Sequence, residues 1–289
     1  MQILLFSLLF MLYLLTLVGN SLILLITMVD PALHTPMYFF IRNLSFLEIC
    51  YTSVTVPKML ANLVSEDRSI SFASCAAQLY FLLFFGTVKC FLFASMSYDR
   101  YLAICYPLHY TAKMTKGVYI RLTLVCWLCG VFIPLGNTVG IFSLPFCGPN
   151  QIDYFFCDFP PVLKLACVNT SPNEVAILAS SLLITVLPLL FTAGSYTCVI
   201  CTILKIPLAE GRHKVFSTCS SHLIVVTLLY CSASFVYLQP KSSYPPERDK
   251  FLSLFYTVIT PMLNPIIYSL RNKEVKEALR RTLKRHLFS

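Results

Sequence analysis

The sequence predicts an all-α membrane protein: a seven-transmembrane helix bundle with a short C-terminal amphipathic interfacial helix, forming one domain over residues 1–289. Three observations predict it. Hydrophobic residues make up 57% of the 289 and charged residues only 12%, about half of the roughly 25% that a soluble domain carries. Mean hydropathy is +0.74. The apolar residues also run in long blocks rather than amphipathic stripes. So few charges cannot cover a water-facing surface, which excludes a soluble enzyme, a nucleic-acid-binding domain and a disordered chain. The net charge of +9 does not point to nucleic acid, because no basic stripe is interleaved with aromatics. It is sorted by side instead.

A span needs about 20 mostly apolar residues. The first covers about residues 3–28 and stops at Asp30-Pro31; it is read as a retained helix, since it lacks the basic start and small-residue cleavage site of a signal peptide. The second covers about 36–64 and fades before Ser65-Glu66-Asp67-Arg68. The third covers 76–104, with Asp99-Arg100 at its far end. The fourth covers 118–140, the fifth 174–204, the sixth 215–238 and the seventh 251–270. Behind the seventh, residues 272–286 place basic and apolar side chains at helical spacing, as an interfacial helix does. Arg42, Lys113, Lys116, Arg121, Lys205, Arg212, Lys214 and the tail from Arg271 to Arg285 share one side, whereas the opposite loops mix signs. Positive-inside then puts the C-terminus in the cytosol and the N-terminus outside.

No internal repeat, Gly-rich phosphate loop, metal-ligand spacing of the five His, or Ser-His-Asp set at one depth is present in the sequence. No enzymatic activity, metal or cofactor is therefore expected. A transporter or channel would need a continuous polar path, and the outer halves of the spans are nearly all apolar. Of the thirteen Cys, Cys75, Cys147, Cys157 and Cys167 face the oxidising side, and four Cys allow three pairings. The other nine, Cys50, Cys90, Cys126 and Cys219 among them, read as small buried hydrophobes. Asn169-Thr170-Ser171 is an outer acceptor sequon, expected to be unused because Pro172 follows at once.

Five strings at consistent span positions carry a resemblance. Leu33-His-Thr-Pro-Met-Tyr-Phe-Phe40 opens the second span, and Pro57-Lys-Met-Leu60 lies near its outer end. Met96-Ser-Tyr-Asp-Arg-Tyr-Leu-Ala-Ile-Cys105 closes the third. Lys214-Val-Phe-Ser-Thr-Cys-Ser-Ser-His-Leu223 opens the sixth, and Pro261-Met-Leu-Asn-Pro-Ile-Ile-Tyr-Ser-Leu-Arg-Asn272 closes the seventh. Over essentially the whole chain the sequence resembles the vertebrate olfactory receptors, a branch of the rhodopsin-like G-protein-coupled receptors. The family usually carries an outer N-terminal segment with a glycosylation sequon, and this sequence opens directly on its first span.

The resemblance implies roles residue by residue. Gly19-Asn20 looks like the first-span polar anchor and Trp127 like the single Trp of the fourth span. Asp99, Arg100 and Tyr101 look like the segment that meets a stimulatory, olfactory-type heterotrimeric G protein. Ser195-Tyr196 and Asn264-Pro265-Ile-Ile-Tyr268 look like switches that rearrange on activation. Asp99 beside Arg100 suits a charge-assisted hydrogen bond that forms in one state and breaks in another. The family pattern also implies bridges Cys75–Cys157 and Cys147–Cys167.

A ligand pocket is implied in the outer half of the bundle, between the third, fifth, sixth and seventh spans. At 1.5 Å per residue, Thr87, Gly86 and Leu83 lie roughly 20–26 Å outward of Arg100. Tyr230 and Tyr237 share a face of the sixth span and resemble the family's pocket tyrosines, with Ser180, Ser181 and Thr257 at matching depth. No charged residue is expected to project there, so the partner is a small, volatile, neutral and mostly apolar ligand, beside membrane lipid and the G protein and with no nucleic acid. Deeper in the bundle, Glu48 and Lys89 fall at roughly 18 Å and 16 Å from the cytosolic ends of their spans. An isolated charge at that depth costs at least about 2.5–3.5 kcal/mol, so the two are expected to pair. Related receptors usually carry an acidic residue where Lys89 stands and can use this region for a sodium ion; here the ammonium takes that space.

Overall fold

The computed structural model of the protein describes residues 2–205, 219–220, 222–231, 254–271 and 273–287, with the side chains at 268–273 and 283–287 outside that description. Its long helices are α1 (Gln2–Val29), α2 (Pro36–Val64), α3 (Phe72–Cys105), α4 (Lys116–Phe142) and α5 (Ser171–Leu204). They are followed by α6 (His222–Cys231), α7 (Thr260–Arg271, entered through the turn Phe255–Ile259) and α8 (Lys273–Leu287). Among the described helices α1, α3, α4 and α5 are long and apolar enough to cross a membrane. α2 is as long, but Arg42, Glu48 and Lys58 dilute its hydropathy.

Hydrocarbon offers backbone amides no partner, so each spanning segment must satisfy its own hydrogen bonds as a helix. α1 shows how side chains then sort. Leu9, Thr16, Asn20, Ile23 and Thr27 form one buried stripe, while Leu4, Leu8, Met11, Leu15 and Leu22 face outward, the separation that helical periodicity produces. α2 begins with Pro36 in its first turn, where a missing N–H costs nothing. Ser71 caps α3 by accepting from Ser74 N at 3.2 Å.

Two helices widen where proline removes a ladder bond. In α5 the π-helical turn Leu182–Val186 precedes Pro188, and at the head of α7 the turn Phe255–Ile259 precedes Pro261. Thr260 Oγ1 donates to Phe255 O at 3.2 Å across the second, adding to the Thr260 N–H bond to the same carbonyl.

α3 is the central element, packed on α2, α4 and α5, while α1 leans on α2 and α7. Asn20 Nδ2 on α1 donates to Thr16 O and, at 3.3 Å, to Pro261 O on α7. Beside it a Cβ built on Gly19 would come 2.9 Å from Pro265 Cγ, so only a glycine admits this approach. α8 lies across the C-terminal end of α1, with Val275 and Ala278 buried. Tyr38 Oη donates to Glu274 Oε2 at 2.6 Å, and Arg281 Nη2 meets Asp30 Oδ2 at 2.9 Å.

Cys75 pairs with Cys157 and Cys147 with Cys167, at Cα separations of 5.5 Å and 5.8 Å. Cys167 N donates to Pro145 O at 3.0 Å and Cys147 N to Leu165 O at 3.3 Å, closing residues 145–167 into a clip. The clip folds inward: its short helix Phe159–Leu163 buries Phe159, Val162 and Leu163 against Leu79, Ile141 and Ile177. Of the other nine cysteines, Cys90, Cys126 and Cys219 are buried as expected and Cys50, Cys105 and Cys129 partly so, whereas Cys198, Cys201 and Cys231 depart from the sequence reading and are exposed on α5 and α6. A thiol is apolar enough to face lipid there.

The close approach at Gly19 yields a test. Gly19→Val is expected to lower the thermal stability of the detergent-purified protein by the equivalent of about 1–3 kcal/mol, the usual cost of overpacking. Gly194→Val, where an added Cβ meets nothing within 4 Å, should change it far less.

Candidate functional site

Between α2, α3, α4, α5, α6 and α7 lies a cavity of about 80 Å³. One water needs roughly 10–15 Å³ of such space, so the cavity admits a molecule of about half a dozen non-hydrogen atoms. α3 lines one wall with Leu82, Leu83, Gly86, Thr87, Lys89 and Cys90, α5 another with Ser180, Ser181, Ile184 and Thr185, and Phe159 of the inward-folded clip closes the outer end. Both widened turns face this space, since Ile184 and Thr185 belong to one and Tyr256 to the other. π turns are often found at such places. Gln78 ties the lid down: its amide donates to Val54 O at 3.0 Å, and its carbonyl accepts from Cys157 N at 2.9 Å. Asp158, fully buried, accepts from Phe159 N at 2.8 Å and from Tyr256 Oη at 3.4 Å.

Of the residues expected from sequence, Leu83, Gly86, Thr87, Ser180 and Ser181 line the cavity. Ser180 is already engaged, accepting from Asn137 Nδ2 at 2.7 Å and donating to Ile177 O at 2.9 Å. Tyr230 lies outside the lining, because its hydroxyl reaches across to donate to Cys90 O at 2.9 Å. Thr257 is fully buried beside the lining residue Tyr256. Tyr237 lies outside the described residues. Tyr51 on α2 and Pro134 and Asn137 on α4 also reach the cavity, so it is bounded by more helices than the four expected.

One expectation is overturned. The zone was to contain no charged group, yet Lys89 is part of its lining. The side chain is long enough to carry its ammonium away from its own backbone toward polar partners. Helical spacing held the signal, because position 89 is one turn beyond Gly86 on the same face.

Lys89 Nζ lies 2.7 Å from Glu48 Oε1, the two residues being 1% and 0% exposed. Asn264 Nδ2 on α7 donates to the same carboxylate oxygen. The ammonium sits 5.5 Å from the centre of the Tyr51 ring. Three helices thus meet at one carboxylate. An ammonium in this position does not fit a bound sodium ion, which would bring a second positive charge to a single carboxylate.

Near the C-terminal end of α3, Asp99 and Arg100 make no ion pair with each other. Adjacent helical residues point about 100° apart, so they do not face one another. Asp99, 1% exposed, instead accepts from Tyr110 Oη at 2.7 Å. Tyr110 opens the short helix Tyr110–Lys113. Burial and the facing carboxylate push its phenol well above the ordinary range, so it remains a donor at neutral pH. Arg100 Nε is buried with no hydrogen-bond partner among the described residues. Tyr101 packs edge-on against Tyr106 with ring centres 5.6 Å apart. Tyr196 Oη bonds His222 Nδ1 at 2.6 Å, and their rings stack at 5.6 Å. His222 lies in the string 214–223, whose spacing alone assigns it no role. Trp127 Nε1 donates to Asn43 Oδ1 at 3.4 Å. Pro265 is buried against Gly19, and the Tyr268 side chain lies outside the described residues.

The mid-bundle junction sets a double-variant test. Glu48→Gln strands the Lys89 ammonium and should lower stability by about 3–5 kcal/mol, as breaking a buried pair does. Adding Lys89→Met should return part of that loss, read as the thermal stability of the purified variants. Strictly additive losses would mean that the two charges do not interact.

Residues 9–286 match the olfactory receptor family model. The chain is 55% identical to human olfactory receptor 10A5 over 281 residues, covering 97% of this chain and 89% of that protein. It is 53% identical to human olfactory receptor 10A2 over 286 residues, covering 99% and 94%. The fold is similar to the crystal structure of squid rhodopsin, with a TM-score of 0.77 at 20% identity over 94% of this chain and 78% of that one. A seven-helix bundle with a lidded internal cavity, matched over nearly its whole length by these relatives, places the chain among non-enzymatic receptors: it belongs to the olfactory receptor family.

Proposed function

We propose that the chain is an odorant receptor of the plasma membrane, with its N-terminus outside and its C-terminus in the cytosol. It binds small, mostly apolar volatile molecules in this cavity, against α3, α5, α6 and α7 among the helices that bound it. Binding is passed to a stimulatory, olfactory-type heterotrimeric G protein at the cytosolic ends of the same helices. The observation that carries the reading is the continuity of contacts below the cavity. Lys89 lines the cavity and meets Glu48, Glu48 accepts from Asn264, and Asn264 directly precedes Pro265 in α7. An occupant that shifts Lys89 therefore acts on the segment of α7 where proline weakens the helix.

The cytosolic end supports the same reading. Tyr196, Val199, Ile203 and Cys219 form a cluster separate from the main core, joined by Tyr101 and Leu223. α5 and α6 can repack there without disturbing the outer bundle. Asp99 held by Tyr110 leaves Arg100 at the membrane edge with donor capacity to offer a partner. The basic face of α8, with Lys276, Arg280 and Arg281, suits the anionic cytosolic leaflet.

An odorant panel on the surface-expressed chain with a cAMP readout tests the proposal. At least one small volatile molecule should raise cAMP, and Arg100→Ala at matched surface density should abolish that response. A full response from Arg100→Ala would remove the coupling assignment.

A further inference from the structure

Lys89 does two things at once: it closes a buried ion pair and it lines the cavity. An ammonium carries three N–H donors. Glu48 Oε1 occupies one side of it and the Tyr51 ring covers another at 5.5 Å. No other acceptor among the described residues meets Nζ, although the residue is 1% exposed. Buried donors without acceptors are rare in folded proteins. Here the missing acceptor has a place to sit, because Lys89 and the Tyr51 ring that its ammonium approaches both belong to the cavity wall.

We infer that this cavity selects small neutral molecules bearing a carbonyl oxygen (aldehydes, ketones or esters), with that oxygen accepting a hydrogen bond from Lys89. The inference rests on the proposed reading of the cavity as the ligand site and names the class of ligand. The chemistry favours a neutral acceptor over a carboxylate. The Glu48–Lys89 pair is already neutral overall, so a carboxylate ligand would bring an uncompensated negative charge into a low-dielectric site beside Glu48. A carbonyl brings an acceptor and no net charge. The rest of the lining, with Leu82, Leu83, Ile184 and Leu229, takes the hydrocarbon remainder. Thr87, Asn137, Ser181 and Thr185 offer neutral polar groups, but a bond from a charged donor is about twice as strong as one between neutral groups.

The test uses one carbon skeleton on the full chain: hexanal, butyl methyl ketone, hexane and hexanoate. Two readouts are followed, the ligand-induced rise in Tm of purified protein and the cAMP response of surface-expressed protein. The aldehyde and ketone should act at concentrations roughly tenfold or more below hexane, as a hydrogen bond to a charged group implies, and hexanoate should be weaker than hexanal. In the Glu48→Gln, Lys89→Met double variant the carbonyl advantage should fall to within about threefold, the remainder expected of neutral contacts alone. Equal responses to hexanal and hexane in the unaltered chain would overturn the inference while leaving the cavity a ligand site. So would hexanoate outdoing hexanal, or a carbonyl preference that survives in the double variant. The comparison in the unaltered chain is decisive even if the variant does not fold. If none of the four probes shifts Tm or raises cAMP, the reading of the cavity as a ligand site falls too.

Discussion

A carboxylate and an ammonium, both sealed from solvent, lie 2.7 Å apart in the middle of an apolar bundle, and much of the structure is arranged around that contact. Neither group can be left alone there. Removing a charge of this size from water costs several kcal/mol even after relaxation, and lipid supplies no alternative partner. The pair therefore fixes the register of α2 against α3, since sliding either helix by one turn would separate Glu48 from Lys89. Asn264 brings α7 to the same oxygen, and Asn20 ties α7 to α1. A pair of this kind is weak evidence of extra stability, because apolar side chains of similar volume hold as well or better. Its value lies in specifying one arrangement of the helices and in joining the cavity to the helix that proline weakens.

The remaining architecture follows from the same shortage of water. Each helix must satisfy its own backbone, so the prolines at 188 and 261 follow widened turns instead of breaks. Both turns contribute residues to the cavity wall, Ile184 and Thr185 from one and Tyr256 from the other. On the outer side two disulfides and Gln78 hold the clip down, so Phe159 forms a fixed lid. At the opposite end of the bundle hydrogen bonds run from Tyr110 to Asp99 and between Tyr196 and His222. The cluster of Tyr196, Val199, Ile203 and Cys219 packs apart from the main core, which is the arrangement that the proposed relay would use.

Much of this was legible in the sequence because membrane helices impose simple arithmetic. Apolar run lengths marked the helices. Counting residues along two helices placed Glu48 and Lys89 at one depth. Short strings such as Met96-Ser-Tyr-Asp-Arg100 carried the family. The parts that did not follow depend on long-range packing. Phe159 turns inward because its clip is stapled, which spacing alone does not reveal. The bond from Tyr110 to Asp99 spans eleven residues through a loop. His222 finds Tyr196 only after α5 and α6 pack. The location of Lys89 in the cavity wall was within reach of helical periodicity, but its charge argued for pairing and hid its second exposure.

Difference infrared spectroscopy of the purified protein, comparing the unaltered chain with Glu48→Gln, tests the central contact most directly. If Glu48 and Lys89 are paired as ions, the substitution removes a carboxylate stretch and no protonated-acid carbonyl band. Loss of a protonated-acid band instead would mean that Glu48 is neutral, that no ion pair holds α2 to α3, and that the account of the junction is wrong.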